Sequence, residues 1–103
     1  MEERTYRLNG VSREEVESEI DAIWKALQND DTLRSRAREA GIDVDKIDSI
    51  ARSDAVTVKK SESGFAGAEL LIGFGIVIAT DIWKTIILPR LKQRFGADSI
   101  VPK

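Results

Sequence analysis

The chain has 103 residues, 42% of them hydrophobic and 33% charged, with 16 Lys and Arg against 18 Asp and Glu for a formal charge of −2. That length suits a single domain with one core, the apolar content excludes wholesale disorder, and the near-balance of charge removes any global attraction to nucleic acid or anionic lipid. With no Cys and no His, disulfide frameworks, thiolate chemistry, the usual zinc ligand and the usual general base near neutral pH are all excluded.

The first ten residues, MEERTYRLNG, carry charges with no apolar run behind them, so no secretory leader is predicted and a cytoplasmic setting is expected. Arg4 to Leu8 is a short β-prone run ended by the turn dipeptide Asn9-Gly10. Ser12 and Glu15 then form a capping box, with Val11 and Val16 at the hydrophobic-staple positions, so a helix is predicted to start at Arg13. Its apolar residues Val16, Ile20, Ile23, Trp24 and Leu27 recur at spacings of three and four and form one stripe. Asn29-Asp30-Asp31 ends this helix and supplies the cap of the next, Thr32 to Ala40, which is expected to turn inward through Leu33, Ala37 and Ala40 and to stop at Gly41.

Ile42 to Ile50 reads as a loop with one helical turn, and Ala55 to Lys60 alternates like a strand with one buried face. That strand is expected to pair with Arg4 to Leu8. Residues 1–63 carry 11 basic and 15 acidic side chains, whereas residues 64–103 carry 5 and 3, so a mildly basic tail follows an acidic first part.

Gly64 to Leu88, GFAGAELLIGFGIVIATDIWKTIIL, is far more apolar than the rest. It is too long for one strand, which predicts a helix despite Gly67, Gly73 and Gly75, each costing roughly 1 kcal/mol in a helix interior. Around such a helix Glu69, Gly73 and Lys84 share a polar sector with Asp81 beside it, while Gly75 and Ala79 are small residues four apart that admit a close neighbour. Pro89 is expected to kink it, and Gly96 to end it. The fold class expected is therefore α+β and mainly helical: two N-terminal helices and a two-stranded pairing packed on a long apolar C-terminal helix kinked at Pro89.

Three chemical readings are weighed against blander ones. Arg34, Arg36 and Arg38 suggest a nucleic-acid contact, but acids surround them and no base-reading helix follows, so a solvated face is preferred. Asp43, Asp45 and Asp48 lack the Gly and Glu of a calcium loop and read as capping carboxylates. A bilayer span over residues 64–88 is the alternative for the apolar segment, although Asp81 and Lys84 would each cost about 2.5 to 3.5 kcal/mol near its centre. No catalytic constellation, metal site or cofactor loop is found.

The words DIWKTIILPRLKQRFGADSI, Asp81 to Ile100, resemble the tail of small bacterial effector-associated or peptidase-co-occurring domains of conflict systems. Asp81, Trp83, Leu88, Pro89, Arg90, Leu91, Arg94, Gly96, Ala97 and Asp98 carry the match, over about a fifth of the chain. The resemblance implies an adaptor without catalysis, which assembles through homotypic contacts or recruits an effector. A straight helix from Phe65 to Leu88 would extend about 36 Å, longer than a first helix of about 24 Å covers, leaving an apolar patch for a partner. The expected function is thus a non-enzymatic module that self-associates as a homo-oligomer or docks an effector, using Glu69, Gly73, Gly75, Ala79, Asp81, Trp83, Lys84 and Arg90 as its interface. A small membrane-inserting protein is the alternative.

Overall fold

A computed structural model describes residues 2–60 and 69–102 of the chain. In chain order the elements are strand β1 (Glu2–Leu8), helix α1 (Arg13–Asn29), helix α2 (Asp31–Glu39), a 3₁₀ turn (Val44–Ile47), the one-turn helix α3 (Arg52–Ala55), strand β2 (Val56–Lys60) and strand β3 (Glu69–Phe74). A helix α4 of 19 residues follows, made of Val77–Ile82, a π turn over Trp83–Ile87, and Leu88–Phe95. Strand β4 (Ile100–Pro102) closes the series.

The start of α1 is built as its sequence requires. Glu15 N–H donates to Ser12 Oγ at 3.1 Å, and Ser12 N–H donates to Glu15 Oε1 at 3.0 Å, the reciprocal capping box. Asp30 then accepts from the N–H groups of Thr32 and Leu33 and so opens α2. At the other end of α2, Gly41 takes φ +87°, Ile42 N–H reaches the Ala37 carbonyl at 3.0 Å and Gly41 N–H that of Arg38 at 2.9 Å. This is a Schellman closure, and the buried pair Ile42 and Ala37 is its apolar clasp.

The strands form one antiparallel sheet in the order β2-β3-β1-β4. β1 and β2 run the same way with β3 between them, and β3 and β4 run the same way with β1 between them. Two interleaved split βαβ units result, the ferredoxin-like arrangement of an α+β fold. Leu70, Ile72 and Phe74 alternate toward the helices together with Tyr6, Leu8, Val56, Val58 and Ile100, and meet Ile20, Trp24 and Leu27 of α1 and Ile82, Trp83, Ile87 and Leu91 of α4.

The expectation of one helix through residues 65–88 is overturned in its described first half, where Glu69–Phe74 is the strand β3. The run ELLIGF contains apolar residues at every second position as well as at helical spacing, and pairing decides between them: β3 is hydrogen-bonded on both sides, to β1 and to β2. The expected pairing of residues 4–8 with 55–60 fails for the same reason, since β3 lies between those two strands, and the sheet has four strands rather than two. Gly73 and Gly75 admit a side chain of the neighbouring strand and the backbone that precedes it, not a packed helix. A Cβ on Gly73 would collide with Thr57 Oγ1, and one on Gly75 with the carbonyl of Asp54. Gly64, Gly67 and Ala68, also assigned to that helix, lie outside the described residues.

The second half is helical, and Pro89 is accommodated inside it. With no N–H, Pro89 cannot bond back to Thr85, and its ring crowds that carbonyl in a regular turn. The turn just before it is widened: Leu88 N–H bonds to the carbonyl of Trp83, one residue further back than in an α-helix. Among the described residues no helix is long and apolar enough to cross a membrane.

Candidate functional site

The expected interface residues do not share a surface. Trp83 and Ala79 are fully buried on the core side of α4, where the Trp83 indole meets Tyr6 and Phe74 at ring-centroid distances of 5.5 and 6.2 Å. Glu69 and Gly73 lie buried on β3, on the sheet face away from the helices, and Gly75 is pressed against Asp54. Asp81 and Lys84 are exposed on α4, and Arg90 is half-buried on it. Among the described residues the apolar patch expected on a long uncovered helix is not formed: β3 and α4 turn their apolar faces into one core, and Val77 is the large apolar side chain left exposed there, at 88%.

What remains open lies between the helices. α1 and α4 run antiparallel, since Arg94 near the end of α4 faces Glu19 early in α1 at 3.7 Å while Thr85 and Pro89 lie by α2. Between them a groove of about 350 Å³ has walls of Ala22, Ile23 and Ala26 on one side and Arg90, Gln93 and Arg94 on the other. Arg90 and Gln93 also line a smaller recess of about 120 Å³, floored by Leu33, Ile86 and Pro89 and flanked by Arg36 and Thr85. At the opposite end, Glu19 and Arg94 are shared with a concavity of about 340 Å³ bordered by Glu14, Glu15, Ser18 and Phe95. The three follow one another along the seam of α1 and α4 and share lining residues, a trough crossed near its acidic end by the Arg94–Glu19 pair, with acids at the start of α1 and arginines where α2 meets α4.

The charges along it are not equally engaged. Arg34, in the middle of α2, is turned away from the trough and consumed: it donates to Asp48 at 2.7 and 3.2 Å, to Asp45 at 3.3 Å and to the carbonyls of Leu27 and Gln28. That hydrogen-bonded pairing, aided by the charge of Arg34 and Arg38, holds the Asp48 carboxyl below its ordinary range and raises the Arg34 guanidinium. Arg38 reaches Asp45 at 3.7 Å. Arg52 is likewise committed, to Asp21 at 2.6 Å and Glu17 at 3.0 Å. Arg36 and Arg90 make no ion pair among the described residues, although they stand at one recess.

The acidic and arginine clusters of α2 and its following loop thus become a clamp. Asp43 accepts from Asp45 N–H, Asp45 and Asp48 hold Arg34, and among the described residues no group of acids is placed to hold a metal ion. Arg34, Arg36 and Arg38 do not present one basic face. The outer face of the sheet offers Glu3, Thr5, Arg7, Thr57, Lys59 and Leu71, and the aromatics of β1 and β3, Tyr6 and Phe74, are on the other face. RNA-binding sheets of this topology stack bases on aromatics at those strands.

Of the expected interface residues, Arg90 is the one on the trough; Arg36 is expected only as part of a solvated face, and Gln93 and Ala22 carry no expectation. Their only signal in the sequence is outward placement on helices, and the trough exists only once α1, α2 and α4 have packed. The topology serves many unrelated functions and argues for none. Comparison with protein-family models, with curated proteins and with solved structures finds no match.

Proposed function

We propose that the chain is a non-enzymatic interaction module that docks a protein partner, either an effector or a second copy of itself, in the trough between α1, α2 and α4. The observation that carries this is the pairing of Arg36 and Arg90, from two different helices, at a recess floored by Leu33, Ile86 and Pro89, with no ion pair for either among the described residues. Arg90 is half-buried and Arg36 exposed, and a guanidinium beside apolar side chains gains most from a carboxylate brought by a partner that also covers the floor. The resemblance of Asp81 to Ile100 to effector-associated adaptor domains supports the same reading, since Arg90 and Arg94 of that stretch lie on the trough.

The test is site-specific photo-crosslinking in cells, with the photoreactive residue replacing Gln93 in the trough or Lys59 on the opposite sheet face. Protein adducts are expected from position 93 and not from position 59. Absence of any protein adduct from position 93 removes the reading.

A further inference from the structure

The trough has opposite charge at its two ends, and we propose that its occupant is a second copy of this chain, lying across it about a two-fold axis. This rests on the reading of the trough as a docking surface and names the partner. Glu14 and Glu15 mark one end, Arg36 and Arg90 the other, and between them lie Ala22, Ala26 and Gln93 with the mutually neutralised Glu19–Arg94 pair. Glu14 is exposed, its side chain at 77%, and among the described residues its ion-pair partner is its chain neighbour Arg13 at 3.7 Å. The middle of the trough is the stretch of Ala22 and Ala26 that faces Gln93 between these ends.

A two-fold axis through that middle exchanges the ends. Glu14 of one copy then faces Arg36 of the other, and the contact occurs twice, as in every isologous dimer. A foreign partner needs basic, apolar and acidic groups in this order and spacing; the chain itself carries them. Two helices about 25 Å long and about 10 Å apart give a footprint of roughly 500 Å² per copy, at the low end for specific association, so the dimer belongs in the micromolar range.

Sedimentation equilibrium on the full chain tests this, with circular dichroism confirming that each variant is folded. The wild type is expected in a micromolar monomer–dimer equilibrium that weakens with salt. Glu14→Arg and Arg36→Glu should each raise Kd at least about tenfold, because both symmetric contacts become repulsive, and the double reversal should return it to within about threefold. Three outcomes overturn the two-fold dimer: a wild type that stays monomeric to about 1 mM, far above that range, a dimer indifferent to both single reversals, or singles that weaken it without rescue by the double. None of these removes the docking reading, which stands on the adducts from position 93; adducts there with a different protein alone keep that reading and discard the dimer.

Discussion

The indole N–H of Trp83 donates to the hydroxyl of Tyr6 at 2.8 Å, a hydrogen bond between residues 77 apart and wholly inside the core. It ties the middle of α4 to the central strand β1 and satisfies both polar tips that these aromatic rings bring inside. Tyr6→Phe keeps the ring and strands the indole N–H, so urea unfolding should show a loss of about 1 to 3 kcal/mol. A change below about 0.5 kcal/mol, the range of ordinary surface substitutions, would mean that the bond contributes nothing net.

Gly73 offers a sharper probe of the sheet, because it decides that residues 69–74 lie flat beside β2. Gly73→Ala places a methyl on Thr57 Oγ1 and is expected to cost about 1 to 3 kcal/mol. In a Thr57→Ala background the same change should be milder, with a coupling energy of at least about 0.5 kcal/mol in the double-mutant cycle. Simple additivity would sink the assignment. A helical segment here would instead gain from Gly→Ala, so the sign alone separates the two structures.

That contrast explains what the sequence made legible. α1 was readable because its capping box, staple and apolar stripe agree, and every member of the stripe, Val16, Ile20, Ile23, Trp24 and Leu27, is buried. β3 was not, because Leu71 interrupts the alternation of Leu70, Ile72 and Phe74 and because β1, one of the two neighbours that hold the strand, comes from distant chain. β4 is three residues ending in Pro102, too short for a period to show. At the candidate site, Arg90 was found through its place in the C-terminal stretch, whereas Arg36 looked like one of three equivalent arginines until packing engaged Arg34 and Arg38 elsewhere.

The Arg34 clamp predicts a dependence on acid. Asp48 is held below its ordinary pKa chiefly by the hydrogen bond from Arg34, so its contribution is complete above the unfolded carboxylate range, near pH 4, and is lost as pH falls through the lowered folded value. Asp48→Asn should therefore flatten the acid limb of the melting temperature against pH and leave its shape above pH 5 unchanged. Amide exchange should show the 3₁₀ turn Val44–Ile47 loosening first. An acid limb identical to that of the wild type would show that Asp48 does not report the clamp.

Arg52 should be irreplaceable by lysine. Its fork holds Asp21, Glu17 and the Val56 carbonyl together, so it fastens α1 to the junction of α3 and β2. Arg52→Ala is expected to cost about 1.5 to 3 kcal/mol, and Arg52→Lys to recover less than half of that, since one ammonium cannot span the three acceptors. Equal stability of the lysine variant and the wild type in guanidinium unfolding would contradict this.

The interleaved sheet also sets the order in which the chain can become a protein. β1 leaves the ribosome before its partners, residues 69–74 and 100–102, so both of its edges wait for later parts of the chain. Until then Tyr6 and Leu8 have no sheet to join, and α1 is an amphipathic helix with nothing to cover. Folding must therefore close long loops late, which slows it relative to a helical bundle of this size and leaves the newborn N-terminal half exposed to chaperones and proteases while it waits.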